Sequence, residues 1–446
     1  MDTYLDNSRK ASCTGCSACV QVCGKGAMHM EYDAEGFAYP VIDREKCVNC
    51  GLCRAACPMT KDLLYPKVER VTGGYVNDRE VLEKSTSGGA FTALVKAWCT
   101  GSSYAVFGAA QTEKLTTEHR YITDLSDLDM LRKSKYDQSR IGTAYADCKR
   151  LLSEGRKVVF TGTPCQIAGL RAFLGDKEYP ELLTIDVICE GVPSPKYKNS
   201  FIKYMEEKHA SSVKTLDYRD KDGGRWDYNV MSLTFENGKH ITIDRWVNPF
   251  FDIWMQHIMS RPSCYECRYT TSRRCSDITL GDLWGVHIFC PELYNDNHGS
   301  SVMIPSTEKG RTAIELATEK YSKEELAAKE TVLSVEPKPD EITPEDTEEL
   351  TKVANSEEQS PAPTIQRRVS SKQRKLSLEE YRNTFMRPYR IEDRKPVFIS
   401  GKLRKMLDKF ACKIGEDRMS MSGLLENIVR HHIELYADDF EHWKGM

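Results

Sequence analysis

No stretch of this chain stays apolar for anything near the twenty residues of a membrane-spanning helix, which leaves no candidate span. Its opening residues, MDTYLDNSRKAS, lack an apolar signal core and run straight into the first cysteine, so the chain reads as cytoplasmic. A dominant charge is missing as well. The 63 Lys and Arg nearly balance 66 Asp and Glu, a formal net charge of -3, which singles out no partner of opposite charge for the whole molecule. With 40% hydrophobic and 29% charged residues over 446 positions, the composition is that of a soluble globular protein of two or three domains. What the chain does have is cysteine. Seventeen of them in a chain with no export segment belong in a reducing compartment, where a disulfide framework is not expected.

Eight of these cysteines lie between Cys13 and Cys57, in CTGCSACVQVCG and CVNCGLCRAACP. Cys13, Cys16, Cys19, Cys23 and Cys47, Cys50, Cys53, Cys57 each follow C-x2-C-x2-C-x3-C, the run of bacterial ferredoxins that hold two [4Fe–4S] clusters. Three closely spaced thiolates wrap one cubane and the fourth reaches across to the other. The spacing therefore assigns Cys13, Cys16, Cys19 with Cys57 to one cluster, and Cys47, Cys50, Cys53 with Cys23 to the second. Structural zinc, built from paired C-x2-C knuckles, does not use the extra cysteine in each run. Gly24 stands where the first run would often carry proline, whereas the second run has Pro58. Between the runs, AMHMEYDAEGFAYPVID predicts a hairpin turning at Asp33–Gly36.

Past Pro58 a connector leads into a strand, and then comes STSGGAFTALVKAW. It predicts a helix with Ser87 as N-cap and Phe91, Leu94, Val95 and Trp98 on its apolar face. Gly88 and Gly89 at its start either expose backbone N–H groups to an anion, such as a dinucleotide pyrophosphate, or simply let a buried helix begin. Two strand–loop–helix or strand–loop units follow. Residues 156–160 lead into TPCQIAGL, which places Cys165 at a helix start where the dipole should lower its pKa. Residues 182–188 lead into Cys189-Glu190-Gly191. Both cysteines thus lie at the carboxyl ends of strands, where α/β sheets keep their chemistry. With the loop pair Cys264 and Cys267, they form a candidate third cluster or a zinc site. Cys275 is a rival ligand, and Cys99, Cys148 and Cys290 are taken as buried hydrophobes. YRDK (Tyr218 to Lys221) and Asp282 fit either an ion-paired structural turn or a site, with Trp284 buried at a strand end.

These segments occur in a fixed order: SxSGGAF (Ser85 to Phe91), SKYDQS (Ser134 to Ser139), VVFTGTPCQIAGL (Val158 to Leu170), IDVICEGVPSP (Ile185 to Pro195), YRDK, RPSCYEC (Arg261 to Cys267) and SDITLGDLWG (Ser276 to Gly285). Together they resemble the coenzyme F420 hydrogenase/dehydrogenase beta-subunit family with a ferredoxin domain fused in front, over roughly residues 5 to 310. The resemblance implies an oxidoreductase core holding FAD and iron–sulfur. It implies cluster ligands at Cys165, Cys189, Cys264 and Cys267, and flavin contacts at Ser87, Gly88, Gly89, Ser134, Lys135 and Tyr136. The family usually has histidine after the second of these cysteines; here it is Glu190.

Beyond Gly310 the composition shifts to Glu, Lys, Thr, Ser and Pro, a helix fragment followed by a disordered linker. An acidic strip gives way to the basic IQRRVSSKQRKLS, with Arg367, Arg368, Lys372, Arg374 and Lys375. A strand at 395–400 and helices near 403–414 and 420–436 then resemble the conjugal-transfer TraB-type (DUF3408) ribbon–helix–helix proteins, over roughly 340–446. That implies dimerisation and DNA binding through the tail. The expected fold is thus α+β and multidomain: a two-cluster ferredoxin-like domain (1–62), an α/β flavin and Fe–S core (63–318), a mostly disordered linker (319–376) and a small ribbon–helix–helix-like tail (377–446). The expected function is electron passage between [4Fe–4S] clusters and FAD to reduce or oxidise an organic substrate or a deazaflavin. Ferredoxin or another redox protein is the expected partner. The alternatives are an electron-transfer subunit without its own substrate site, or a DNA-binding conjugation-related fusion.

Overall fold

The computed structural model describes residues 3–332, apart from positions 69, 176, 222–225, 229 and 321–325. The described residues all lie in one compact unit, Met1–Glu336. The ribbon–helix–helix reading of 377–446, the basic arm and most of the linker lie outside the described residues. No described helix is long and apolar enough to cross a membrane.

In chain order the described strands are β1 (Met28–Tyr32), β2 (Ala38–Ile42), β3 (Arg70–Val76), β4 (Tyr104–Gln111), β5 (Thr117–Ile122), β6 (Lys157–Gly162), β7 (Leu182–Val187), β8 (Val213–Asp220), β9 (Val230–Phe235), β10 (His240–Ile243), β11 (Ile278–Asp282), β12 (Ser301–Pro305) and β13 (Leu326–Val332). β1 and β2 form the expected hairpin, with Met28 opposite Ile42. Eight strands make one mixed sheet in the order β13-β3-β12-β11-β7-β6-β4-β5. Its centre, β4, β6, β7 and β11, is parallel; the two flanks are antiparallel. The near-continuous apolar text of VVF and LLTI suits strands covered on both faces.

Alternation along those strands sorts the core into two layers. Val106, Val159 and Leu183 pack with Leu94 and Val95 of the helix Ala90–Trp98 and with Ala313 and Ile314 of the helix Glu308–Lys320. Ala105, Phe107, Val158, Phe160 and Leu182 face the other way, onto Tyr145, Ile167 and Leu170. Each fully buried side chain of this size contributes roughly 1.5–3 kcal/mol relative to exposure. Cys16 and Ala18 of the first cysteine run sit in this second layer, so the N-terminal module shares the core of the large sheet. The sheet β10-β9-β8 closes a third core against the helices Pro195–His209 and Pro249–Met255.

Three local expectations differ from what is found. Gly89, at φ +84°, caps the helix in place of Ser87. A Cβ on Gly88 would stand 2.5 Å from the Gly74 carbonyl oxygen and 2.7 Å from the Ser301 nitrogen, so glycine is what lets the chain pass between β3 and β12. β13 falls inside the stretch read as linker: its LAAKETV is rich in Ala, Lys and Glu, which are poor strand formers, but β3 offers an open edge and β13 pairs with it from Leu326↔Val76 to Val332↔Arg70. Trp284 is 47% exposed; the buried indole is Trp226, stacked on it at 4.8 Å.

Candidate functional site

The two cysteine runs wind alike. Gly15 and Ser17 in the first run, and Asn49 and Gly51 in the second, all have positive φ, at matching offsets from Cys13 and Cys47. Each run then opens a single helical turn, Ala18–Gln21 and Leu52–Ala55. These left-handed residues curl the backbone around a point and turn N–H groups toward sulfur. Gly15 donates to Cys13 Sγ at 3.4 Å, and backbone N–H groups of Ala18 and Met59 reach Cys16 and Cys57. Cys13, Cys16, Cys19, Cys53 and Cys57 line one cavity with Pro58 and Met59. Burial first, and then the neighbouring Cys57 and Cys13 sulfurs, push the Cys16 thiol up to about 12. Cys19 is raised by the same causes, burial first and then Cys16, Cys13 and Cys57. The first three cysteines of one run thus meet the last of the other.

The core cysteines converge in the same way. Thr163 and Gln166 form a reciprocal cap on the helix Pro164–Leu174, which fixes Cys165 in its first turn just past β6. Cys189 leaves the end of β7, the strand paired with β6, and Gly191 donates to its sulfur at 3.4 Å. Cys264 lies on a one-turn helix, Pro262–Tyr265, where a loop was expected. Burial, opposed by the Thr163 hydroxyl and assisted by Cys264 and Cys267, raises Cys165 to about 12, against the direction expected from the helix dipole alone. Cys189 is raised by burial first, then by Cys165, Cys264 and Cys267. The four thiols therefore share one neighbourhood. Among the described residues no three Cys, His, Asp or Glu side chains are drawn together around a single metal-ion position. Cys275 is fully buried with its sulfur 3.1 Å from the Pro164 carbonyl, so its hydrogen-bonding capacity is used in the core. Cys99 and Cys148 are buried as expected, and Cys290 is half-buried. His257 stands 3.9 Å from Glu190, so an imidazole from another loop adjoins the residue after Cys189.

A buried chain of hydrogen bonds holds this corner. His119 lies 2.7 Å from Ser139 Oγ and 2.8 Å from the Thr161 carbonyl, an arrangement that requires Nε2–H to donate to the carbonyl and Nδ1 to accept from the serine. Gln166 donates to Ser139 at 2.9 Å and accepts from the Thr163 N–H. Burial pushes His119 down from 6.5 to about 4, with the Thr161 carbonyl opposing. Between those values the unfolded chain binds the extra proton and the folded chain does not, so stability falls as pH drops through that window. The full loss is roughly 3 kcal/mol. Thermal unfolding of the core should therefore move to lower temperature between pH 6.5 and 4, and His119→Asn should flatten that dependence. An identical slope in the variant would assign the loss to other groups.

The residues expected to contact a flavin fall near one another. Ser134 donates its N–H to Thr86 Oγ1 at 2.7 Å, Ser87 donates to the Ser300 carbonyl at 2.7 Å, and Lys221 donates to the Ser87 carbonyl at 2.6 Å. Gly88 N–H is taken by Ser301 Oγ at 2.9 Å. Tyr136 accepts from Arg219 at 3.1 Å, and Arg219 forks onto Asp282 at 3.1 and 3.3 Å. That pair joins YRDK on β8 to the end of β11. Trp226 donates to Asp282 at 2.8 Å, and the Arg219 guanidinium lies 5.2 Å over the Trp284 ring. Burial lowers Lys221 to about 7 and Lys135 to about 8. Sequence reasoning left Arg219 and Asp282 undecided and overlooked Trp226, whose pairing with residues 56 and 58 positions away gives no local signal.

Four family models match parts of the chain. Residues 12–61 and 39–96 each match a 4Fe-4S dicluster domain. Residues 155–330 match the family described as the C terminus of the coenzyme F420 hydrogenase/dehydrogenase beta subunit. Residues 309–444 match a family described as protein of unknown function (DUF3408). No curated protein matches. Among solved structures, a chain of the F420-reducing [NiFe] hydrogenase complex from Methanosarcina barkeri is similar at 18% identity and a TM-score of 0.42, covering 72% of this chain and 95% of that one. The N-terminal module is thus a [4Fe–4S] electron-transfer domain, and residues 155–330 are related to the beta subunit of an oxidoreductase.

Proposed function

We propose that this chain is an iron–sulfur flavoprotein oxidoreductase that passes electrons between its N-terminal clusters and an organic or deazaflavin substrate. Cys165, Cys189, Cys264 and Cys267 hold a third cluster in this reading. FAD lies against Ser87–Gly89 and Ser134–Tyr136, and ferredoxin or a similar redox protein is the external partner. The observation that carries the proposal is the meeting of the four core thiols at the ends of β6 and β7, next to Cys16 of the ferredoxin module.

Bound clusters supply one-electron transfer and a bound flavin couples it to two-electron chemistry. The chain's own residues do the positioning. Gly15 and Gly191 orient N–H groups at Cys13 and Cys189, which favours the more negative state of whatever those sulfurs bind. Lys221, held by the Leu82 and Ser87 carbonyls at 2.6 Å, fixes the Ser87 loop, and Arg219, held by Asp282, fixes the Tyr136 hydroxyl.

Anaerobic purification with iron, acid-labile sulfide and flavin quantified tests the whole. About twelve irons, matched by sulfide, and one FAD per chain are expected. About eight irons and no flavin would reduce the protein to an electron-transfer module.

A further inference from the structure

We propose that Arg261 is a shared counter-charge between the Cys13-side cluster and the core cluster, a positioning residue that raises both potentials and makes the Cys13 side the exit from the ferredoxin module. This rests on the core-cluster reading above. Arg261 is 1% exposed, among the largest fully buried side chains of the protein. Among the described residues no carboxylate pairs with it, whereas the other deeply buried arginines, Arg219 and Arg274, each have one. An unpaired buried guanidinium is costly, so its position points to an anion that belongs beside it.

Its contacts say where that anion is. Nε donates to the Cys13 carbonyl at 2.9 Å, Nη2 donates to the Ala38 carbonyl at 2.9 Å and points at Cys13 Sγ from 3.8 Å, and Nη1 donates to Gln138 at 3.1 Å. Gln138 donates in turn to the Thr14 carbonyl at 2.7 Å. Gly15 lets the guanidinium in: a Cβ there would stand 2.9 Å from Nη1. Tyr39 supports it from below, with its ring 4.5 Å away. On the backbone side, Arg261 N–H donates to Val192 in the Cys189 loop, and its carbonyl accepts from Cys264 N–H. One residue is therefore hydrogen-bonded to the ferredoxin loop through its side chain and to the core-cysteine loops through its backbone.

A [4Fe–4S] centre with four thiolates is a net anion that gains one more negative charge when reduced. A cation held in a low-dielectric interior beside it favours the reduced form. Cys47 and Cys50 of the other run lie outside this contact set, and Cys50 is exposed. Arg261 therefore opposes the lowering that burial imposes on the two centres it adjoins, which in this reading leaves the Cys47 side at lower potential and those two at higher potential. One electron entering from a low-potential one-electron donor then moves inward without any bond being made or broken.

The test is a potentiometric EPR titration of the full-length protein, purified anaerobically, in native, Arg261→Gln and Arg261→Lys forms, with iron and sulfide measured on each. Cys47→Ser and Cys264→Ser variants assign the signals. In Arg261→Gln the Cys13-side and core signals should move to lower potential while the Cys47-side signal stays, at unchanged iron content. Arg261→Lys, which keeps the charge, should stay near native. If Arg261→Gln does not load its clusters, the native order decides: a Cys47-side signal at or above the other two overturns the proposal. Equal shifts in the Gln and Lys variants, or no shift with all clusters present, also overturn it. Absence of the core cluster from the native protein removes the premise, and with it the proposal.

Discussion

Serine in place of Cys165, Cys189, Cys264 or Cys267 should each remove about four irons and their sulfide while about eight remain. The four thiols come from four places: a capped helix start, a strand exit, a one-turn helix and the loop after it. None can be replaced by a neighbour sliding along the same element. Among the described residues Cys275 is the spare thiol nearby, and its sulfur is held 3.1 Å from the Pro164 carbonyl. Cys275→Ser should therefore leave iron content and EPR spectra unchanged and cost only stability. Loss of iron from the Cys275 variant together with full iron in the Cys189 variant would exchange their roles.

The features that repeat at short range were legible in the sequence. The cysteine runs, the hairpin at Asp33–Gly36, the helix after Gly89 and the strand–helix unit around Cys165 each follow from spacing within about a dozen residues. What the sequence did not disclose is paired over long range. Asp282 meets Arg219, and Arg261 meets Cys13 across 248 positions, so neither contact leaves a periodic trace. β13 was missed because its Ala, Lys and Glu are weak strand formers and the open edge of β3 that recruits it is more than 240 positions away. The dipole argument for Cys165 failed on magnitude: a half-charge at a helix start is outweighed once the thiol is out of water. For the glycines of SGGAF the sequence offered anion binding or plain packing. The close approach of Gly88 to Gly74 and Ser301 shows that packing alone already requires glycine there.

The joint between the two modules should be the point most sensitive to added volume. The ferredoxin module is held there from both ends. Gln21 accepts at 3.1 Å from the N–H groups of Tyr145 and Ala146, capping the helix Ala144–Ser153 of the core. Cys16 packs onto Gly169 in the helix Pro164–Leu174. A Cβ at Gly169 would stand 2.7 Å from Tyr145 Oη, 2.8 Å from Cys16 Cβ and 3.0 Å from Cys16 Sγ. Tyr145 cannot swing away cheaply, because its hydroxyl is buried and donates to the Gln166 carbonyl at 2.8 Å. For Gly169→Ala, a gain of about 1 kcal/mol in helix propensity offsets part of an overpacking cost of about 1–3 kcal/mol. Gly169→Val adds two methyl groups and loses most of the propensity gain, so a net cost of roughly 3 kcal/mol or more is expected. The strain falls on a cysteine assigned as a cluster ligand. Valine should therefore lower iron by about four per chain and raise hydrogen exchange in residues 13–24 and 144–153, with alanine intermediate. Gly24→Ala is the control, since a Cβ there meets nothing within 4 Å. Native iron content and exchange in the valine variant would mean that the module is held by Gln21 and Arg261 without this contact.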